Sequence, residues 1–146
     1  MGIEENKEIV REWFERSHSG DISAMDKFLA DNLVMHGAGI GRDFDKQGLH
    51  QGLERFYATF PDVKGQIEDM VAEGDKVMVR ATITGTNTGN HPDRPATGKR
   101  ISMPRYAIYS LENGKIAEVW YLDGLLRMYQ QLGVTPPLPP TEEIRE

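Results

Sequence analysis

The stretch KRISMPRYAIYSLENGKIAEVWYLD, residues 99–123, decides the fold. Two runs of alternating apolar and polar residues meet at Asn113-Gly114, a pair that favours the positive φ angles of a tight hairpin turn. If that turn has two residues, Glu112 pairs with Lys115, and counting outward sets Tyr109 opposite Glu118, Ala107 opposite Trp120 and Pro104 opposite Asp123. In this register Ala117, Val119, Tyr121 and Asp123 share a face with Tyr106 and Ile108. That face is the more apolar and is expected to line the core, while Arg105, Ala107, Tyr109, Ile116, Glu118, Trp120 and Leu122 take the other. A bulge near Pro104 would exchange the faces at the strand ends, which leaves the sides of Trp120 and Arg105 open.

A second hairpin precedes the first. VKGQIEDMVAEGDKVMVRATITGT, residues 63–86, is two strand-like runs joined at Glu73-Gly74-Asp75. Helical patterns occupy the first part of the chain. Ile9, Val10, Trp13 and Phe14 are spaced as one helical face over residues 4–18, and a short helix is expected over 22–30. Leu33–His36 reads as a short strand running into a glycine-rich turn. Asp45 can cap a helix over 46–59 with the stripe Leu49, Leu53, Phe56, Tyr57 and Phe60. Residues 125–132 form a last helix. One domain is expected over 1–133, followed by a proline-rich tail over 134–146.

Three helices followed by four long strands predict an α+β fold, with the N-terminal helices packed in the concavity of one curved sheet. Such a sheet does not fill its own hollow, and the open end suits a hydrophobic small molecule. A homo-oligomer, dimer or tetramer, is expected through the outer face, where Ile83, Ile101 and Met103 could lie.

Composition narrows the function. The 146 residues are 38% hydrophobic and 27% charged, the formal charge is −6, and no run of Lys/Arg exceeds two. Nucleic-acid and anionic-membrane surfaces need a basic patch, so neither partner is expected. Without cysteine there is no disulfide, thiolate catalysis or Cys-ligated metal. No signal pattern or long apolar run is present, and a cytoplasmic location is expected. The histidines at 18, 36, 50 and 91 lack metal-site spacing, and no nucleotide-binding glycine motif or nucleophile elbow occurs. Acid/base chemistry without metal or cofactor, or plain binding, is what remains.

Asp123 is the first candidate. It either caps the last helix or sits at the pocket as a general base. His36 ends a buried-looking strand beside glycines and could transfer protons, or could bond a backbone carbonyl. Arg105 could supply fixed positive charge to an enolate or carboxylate. Tyr106, Tyr121 and Trp120 could form an aromatic wall, Phe56 lies on the stripe of the third helix, and His50 could face the cavity from it. His91 is expected in solvent or in a lid.

FPDV (60–63), EDMVAEGDKVMVR (68–80), GTNTG (85–89), ATGKRI (96–101), ENGKIAEVWYLD (112–123) and QQLG (130–133) together resemble the SnoaL-like polyketide cyclase family. That family belongs to the nuclear-transport-factor-2-like superfamily of cone-shaped α+β folds. The resemblance implies cofactor-free intramolecular aldol condensation of an aromatic polyketide, with Asp123 matching the acid/base aspartate. His36 matches a histidine closing the first short strand, and Trp120 the tryptophan of E-x-W. Asn87 stands where a pocket histidine is frequent, and Pro104-Arg105 stand where small or apolar residues are common. The resemblance leaves three other readings: a related hydroxylase-type tailoring enzyme, an isomerase or dehydratase, and a non-catalytic binding module.

Overall fold

The computed structural model describes residues 2–90 and 95–136; the loop position of His91 and most of the proline-rich tail lie outside the described residues. The element order is α1 (Ile3–Ser17), a 3₁₀ turn (Ile22–Ala24), α2 (Met25–Phe28), β1 (Leu29–Gly37), β2 (Arg42–Asp45), α3 (Lys46–Thr59), β3 (Lys64–Glu73), β4 (Lys76–Thr86), β5 (Arg100–Glu112), β6 (Lys115–Asp123) and α4 (Leu125–Leu132). Six strands form one mixed sheet in the order β2-β1-β6-β5-β4-β3, with β1 parallel to β6 and the other pairs antiparallel. The expected α+β architecture is the one observed.

Local chemistry explains most boundaries. The Asp45 side chain caps α3 through the Gly48 amide at 2.9 Å. Gly133 closes α4 in the left-handed conformation at φ 72°. Asn113 and Gly114 both have positive φ, as the predicted tight turn requires. The short helix expected over 22–30 is shorter, because Leu29 already enters the first strand. That strand also runs longer than expected, pairs with β6 along one edge and turns back through β2.

The last hairpin needs a correction. Leu111 pairs with Ile116 and Ser110 with Glu118, so Ala117 is an unpaired extra residue. This bulge shifts the register by one, and Arg105, rather than Pro104, lies opposite Asp123. Arg105, Ala107 and Tyr109 therefore face inward with Val119, Tyr121 and Asp123, whereas Tyr106 and Ile108 face out beside Trp120 and Leu122. Ile116 remains inside although Val119, three residues later, is also inside; only the bulge permits that spacing.

The core has two parts. Val10, Trp13 and Phe14 of α1 pack with Phe28, Leu33, Val77, Val79, Tyr109 and Val119 under the concave face. Phe60, Val63, Ile83, Ile101 and Met103 pack with Met128 and Leu132 of α4. Ile83, Ile101 and Met103 are therefore core and not outer surface. The large apolar residues left exposed on the sheet are Val34, Val71, Met78, Tyr106, Ile108, Trp120 and Leu122.

At Gly65 on β3 a Cβ would lie 2.6 Å from the His18 Cβ and 2.7 Å from the Phe14 ring. Gly65→Ala is expected to cost about 1–3 kcal/mol through overpacking. Gly52→Ala, inside α3 with nothing within 4 Å of its Cβ position, is expected to be neutral or to gain about 0.5–1 kcal/mol. Urea denaturation of the two variants measures the contrast.

Candidate active site

Asp123 is the last residue of β6, and alternation from the bulge turns its side chain inward. It does not cap α4: Gly124 holds the N-cap position, and no side chain bonds the first amides. Of the two readings of Asp123, the cap is excluded. Gly124 instead donates its amide to the Pro104 carbonyl at 2.9 Å. A Cβ there would meet the Pro104 ring at 2.6 Å. Glycine thus lets the chain turn sharply into α4, and the proline sits where the sheet no longer needs a second ladder bond.

Across the strands, Nη1 of Arg105 lies 3.4 Å from both Asp123 oxygens, with side-chain exposures of 15% and 12%. The guanidinium also stacks 4.5 Å from the Tyr121 ring centroid. Burial opposes its charge, but the Asp123 carboxylate holds the Arg105 pKa above its ordinary value. Burial pushes the Tyr121 and Tyr109 phenols up, so both are neutral donors near neutral pH. The Nε of Arg105 is buried without a partner among the described residues.

This pair lies in the wall of two joined chambers. The outer one, about 820 Å³, is lined by Phe56 and Phe60, by Leu125, Met128 and Leu132 of α4, and by Asp123. The inner one, about 190 Å³, reaches past Asp123 and Tyr121 to Arg105, Arg42 and His18. Arg55, Phe56, Ile40, Met103, Tyr121 and Asp123 border both. An apolar chamber of this size with a few convergent polar groups fits a ligand pocket.

His18 was not singled out by sequence reasoning. It follows α1 directly and is buried, its ring stacked 4.1 Å from Phe14. Its Nδ1 lies 2.8 Å from the Phe14 carbonyl, which can only accept, so Nδ1 carries the proton and Nε2 is a bare acceptor. Burial first, and the Arg105 charge second, bring its pKa down to about 3. The only sequence signal was a histidine at a helix end behind an apolar stripe.

The remaining candidates separate. Phe56 and Tyr121 line the chambers as expected. Asn87 borders the outer chamber, but its amide is committed: Nδ2 donates to the Thr59 and Gly89 carbonyls, and Oδ1 accepts from the Thr97 amide and hydroxyl. It is a strut for the loop around 95–97, not a free contact. His36 lies on the outer face, bonded to Glu118 at 2.6 Å and Asp43 at 3.0 Å and stacked on Trp120. Those bonds, Glu118's first, raise its pKa. It faces away because alternation along β1 buries Met35 and Leu33 instead. Tyr106 is on that outer face too, for the register reason given above, and Trp120 lies there on the side that strand alternation gave it, so neither lines the chambers. His50 pairs with Glu54 one helical turn on, beside a separate acidic depression with Asp26, Asp31 and Asp45. Among the described residues no group of three or more His, Cys, Asp or Glu could hold a metal, and no helix is long and apolar enough to cross a membrane.

The sequence profile of SnoaL-like polyketide cyclases matches residues 7–132. No curated protein sequence matches the chain. A solved structure from Acidithiobacillus ferrooxidans, described as a candidate polyketide cyclase, is 31% identical with a TM-score of 0.78, covering 91% of this chain and 98% of its own. IdmH of Streptomyces antibioticus, also described as a candidate polyketide cyclase, is 26% identical with a TM-score of 0.79, covering 88% and 99%. AclR of Streptomyces galilaeus, described as a candidate hydroxylase, is 23% identical with a TM-score of 0.83, covering 94% and 87%, and shows a shared fold.

A histidine whose folded pKa is depressed binds its proton in the unfolded chain first. His18 therefore favours folding above about pH 6.5, and that contribution is lost as pH falls toward 3. His36, whose pKa is raised, acts oppositely, so the comparison must be between variants. Between pH 7.5 and pH 5 the protein is expected to lose about 1–2 kcal/mol that His18→Gln does not lose. Urea denaturation at the two pH values reads this, and equal slopes would exclude it.

Proposed function

The chain belongs to the SnoaL-like polyketide cyclase family, and on that premise we propose that it closes a ring in a carbonyl-rich, polyketide-type substrate by intramolecular aldol condensation. The observation that carries the reading is the inward Asp123 beside Arg105 at the junction of an apolar outer chamber and a smaller inner one that holds Arg42, Arg105 and His18.

Asp123 removes a proton from a carbon next to a carbonyl. The electron pair moves onto the substrate oxygen, giving an enolate, and Arg105 places positive charge on the same wall. The enolate carbon attacks a second carbonyl carbon of the same molecule. A carbon–carbon bond forms, and the second oxygen takes the proton back from Asp123. Atoms and electrons balance within substrate and carboxyl group, so no oxidant or metal enters. Phe56, Phe60 and the α4 side chains fold the chain of the substrate by excluding water from it. The half-buried Tyr121 hydroxyl is a neutral donor at the chamber junction.

The expected homo-oligomer belongs to the same reading. Tyr106, Ile108, Trp120 and Leu122 form exposed apolar surface on the outer face, and contact there would leave the pocket free. Sedimentation of the protein against Trp120→Glu is expected to show an oligomer and a monomer, respectively.

Asp123→Asn is expected to lower ring closure of an aryl polyketone by at least about 10²-fold while leaving the fold intact. Chromatography of the cyclised product over time measures the rate. Asparagine keeps the shape and a hydrogen bond but cannot accept the proton; unchanged turnover would remove Asp123 as the base.

A further inference from the structure

The whole chain carries a charge of −6, yet the two chambers carry the opposite sign. Among the described residues, and leaving aside neutral tyrosines and the neutral His18, their ionisable lining is Arg42, Arg55, Arg105 and Asp123. Arg105 and Asp123 offset one another across the strands. Arg42 and Arg55 are left over, with no ion pair among the described residues. The acids beside them in sequence are engaged elsewhere: Asp43 with His36, and Glu54 with His50.

The surplus charge converges on one place. Arg42 lines the inner chamber together with Tyr121, and the Arg105 guanidinium lies against the Tyr121 ring. Arg55 stands at the junction of the chambers. The Arg105 contact with Asp123 is long and made by one nitrogen, and its Nε, buried without a partner, retains a donor. An unmet guanidinium donor beside two unpaired arginines is a site for an anion, and guanidinium geometry matches a carboxylate.

We propose that the substrate of this pocket is a free acid, its carboxylate held in the inner chamber by Arg42, Arg55 and the open donor of Arg105, with its apolar body in the outer chamber. The inference rests on the pocket being the substrate site, as in the proposed function, but not on the aldol step. A closed apolar chamber by itself would favour an ester or neutral ketone, since stripping water from a carboxylate is costly. The arginines offset that cost, and a negative group also gains from the field of a positively lined cleft inside an acidic protein.

The test is binding of 9,10-anthraquinone-2-carboxylate against its methyl ester, followed by ligand-observed NMR on the full chain. The acid is expected to bind at least about tenfold more tightly at low salt, and added salt should narrow the gap. The double variant Arg42→Gln/Arg55→Gln should bring the acid to the affinity of the ester and leave the ester unchanged; both side chains are exposed, so the fold is kept. Equal binding of acid and ester, binding of neither, or a preference that survives the double substitution overturns the proposal. The two readings fail separately. Asp123-dependent ring closure of an ester, together with equal binding of acid and ester, would sink the acid preference and keep the aldol reading. A strong acid preference without Asp123-dependent turnover on any polyketone would keep the anion site and sink the aldol reading.

Discussion

One extra residue, Ala117, sets the site. A regular β6 that buried Ile116 would also bury Glu118 and Trp120 and send Tyr121 and Asp123 to the outer face. The bulge inverts the alternation after Ile116, so Val119, Tyr121 and Asp123 point in while Glu118, Trp120 and Leu122 point out. Both faces depend on that inversion. Inside, Asp123 meets Arg105; outside, Glu118 meets His36, which is stacked on Trp120. A strand can carry chemistry on one face and a surface cluster on the other because period-two alternation keeps the two sets apart.

The Arg105–Asp123 pair is a poor stabiliser by ordinary standards. Taking both charges from water costs free energy that a single long contact does not return, and an apolar pair of similar volume would be no less stable. The cost is concentrated at a chamber wall, with a buried donor left open. Charged groups held in incomplete contact at a cavity are poised to interact with something that enters it. The surrounding architecture holds them there: Pro104 and Gly124 fix the strand end, and Tyr109 and Tyr121 flank the guanidinium from the same two strands.

The elements were legible because their signals are local. Asn113-Gly114 specifies its turn by backbone conformation, Asp45 its helix by a cap, and the residues of α4 by amphipathic spacing ended at Gly133. Asp123 facing the core followed from counting back along an apolar face. Register did not follow, because nothing in the residue types around Ala117 marks it as unpaired, and one residue of slip moved Arg105 in and Tyr106 out. His36 was misplaced for a related reason. Its apolar neighbours Leu33 and Met35 hold the buried positions of β1, and parallel pairing with β6 sets His36 against Trp120. His18 was invisible for want of any local pattern: its neutral state comes from burial against Phe14, Gly65 and Arg105, which meet only in the folded chain.

The walls of the pocket divide the work. Most of the charge and titratable chemistry comes from β5, β6 and the β2 edge, which the sheet ladder holds rigidly, with Arg55 of α3 and His18 at the end of α1 added from the helices. The opposite wall comes from α3, α4 and a loop braced by Asn87, and is mostly apolar. A reacting group placed against the sheet therefore meets fixed donors and a fixed carboxylate, which is what a proton transfer needs, because misplacement by an ångström is costly. Shape selection falls to the other wall, where apolar side chains can repack without disturbing the ion pair. Asn87 takes part in that second task. With both ends of its amide engaged by the chain, it selects ligands by where it holds the loop, and replacing it with a group that could bond substrate would first release the wall against which the substrate rests.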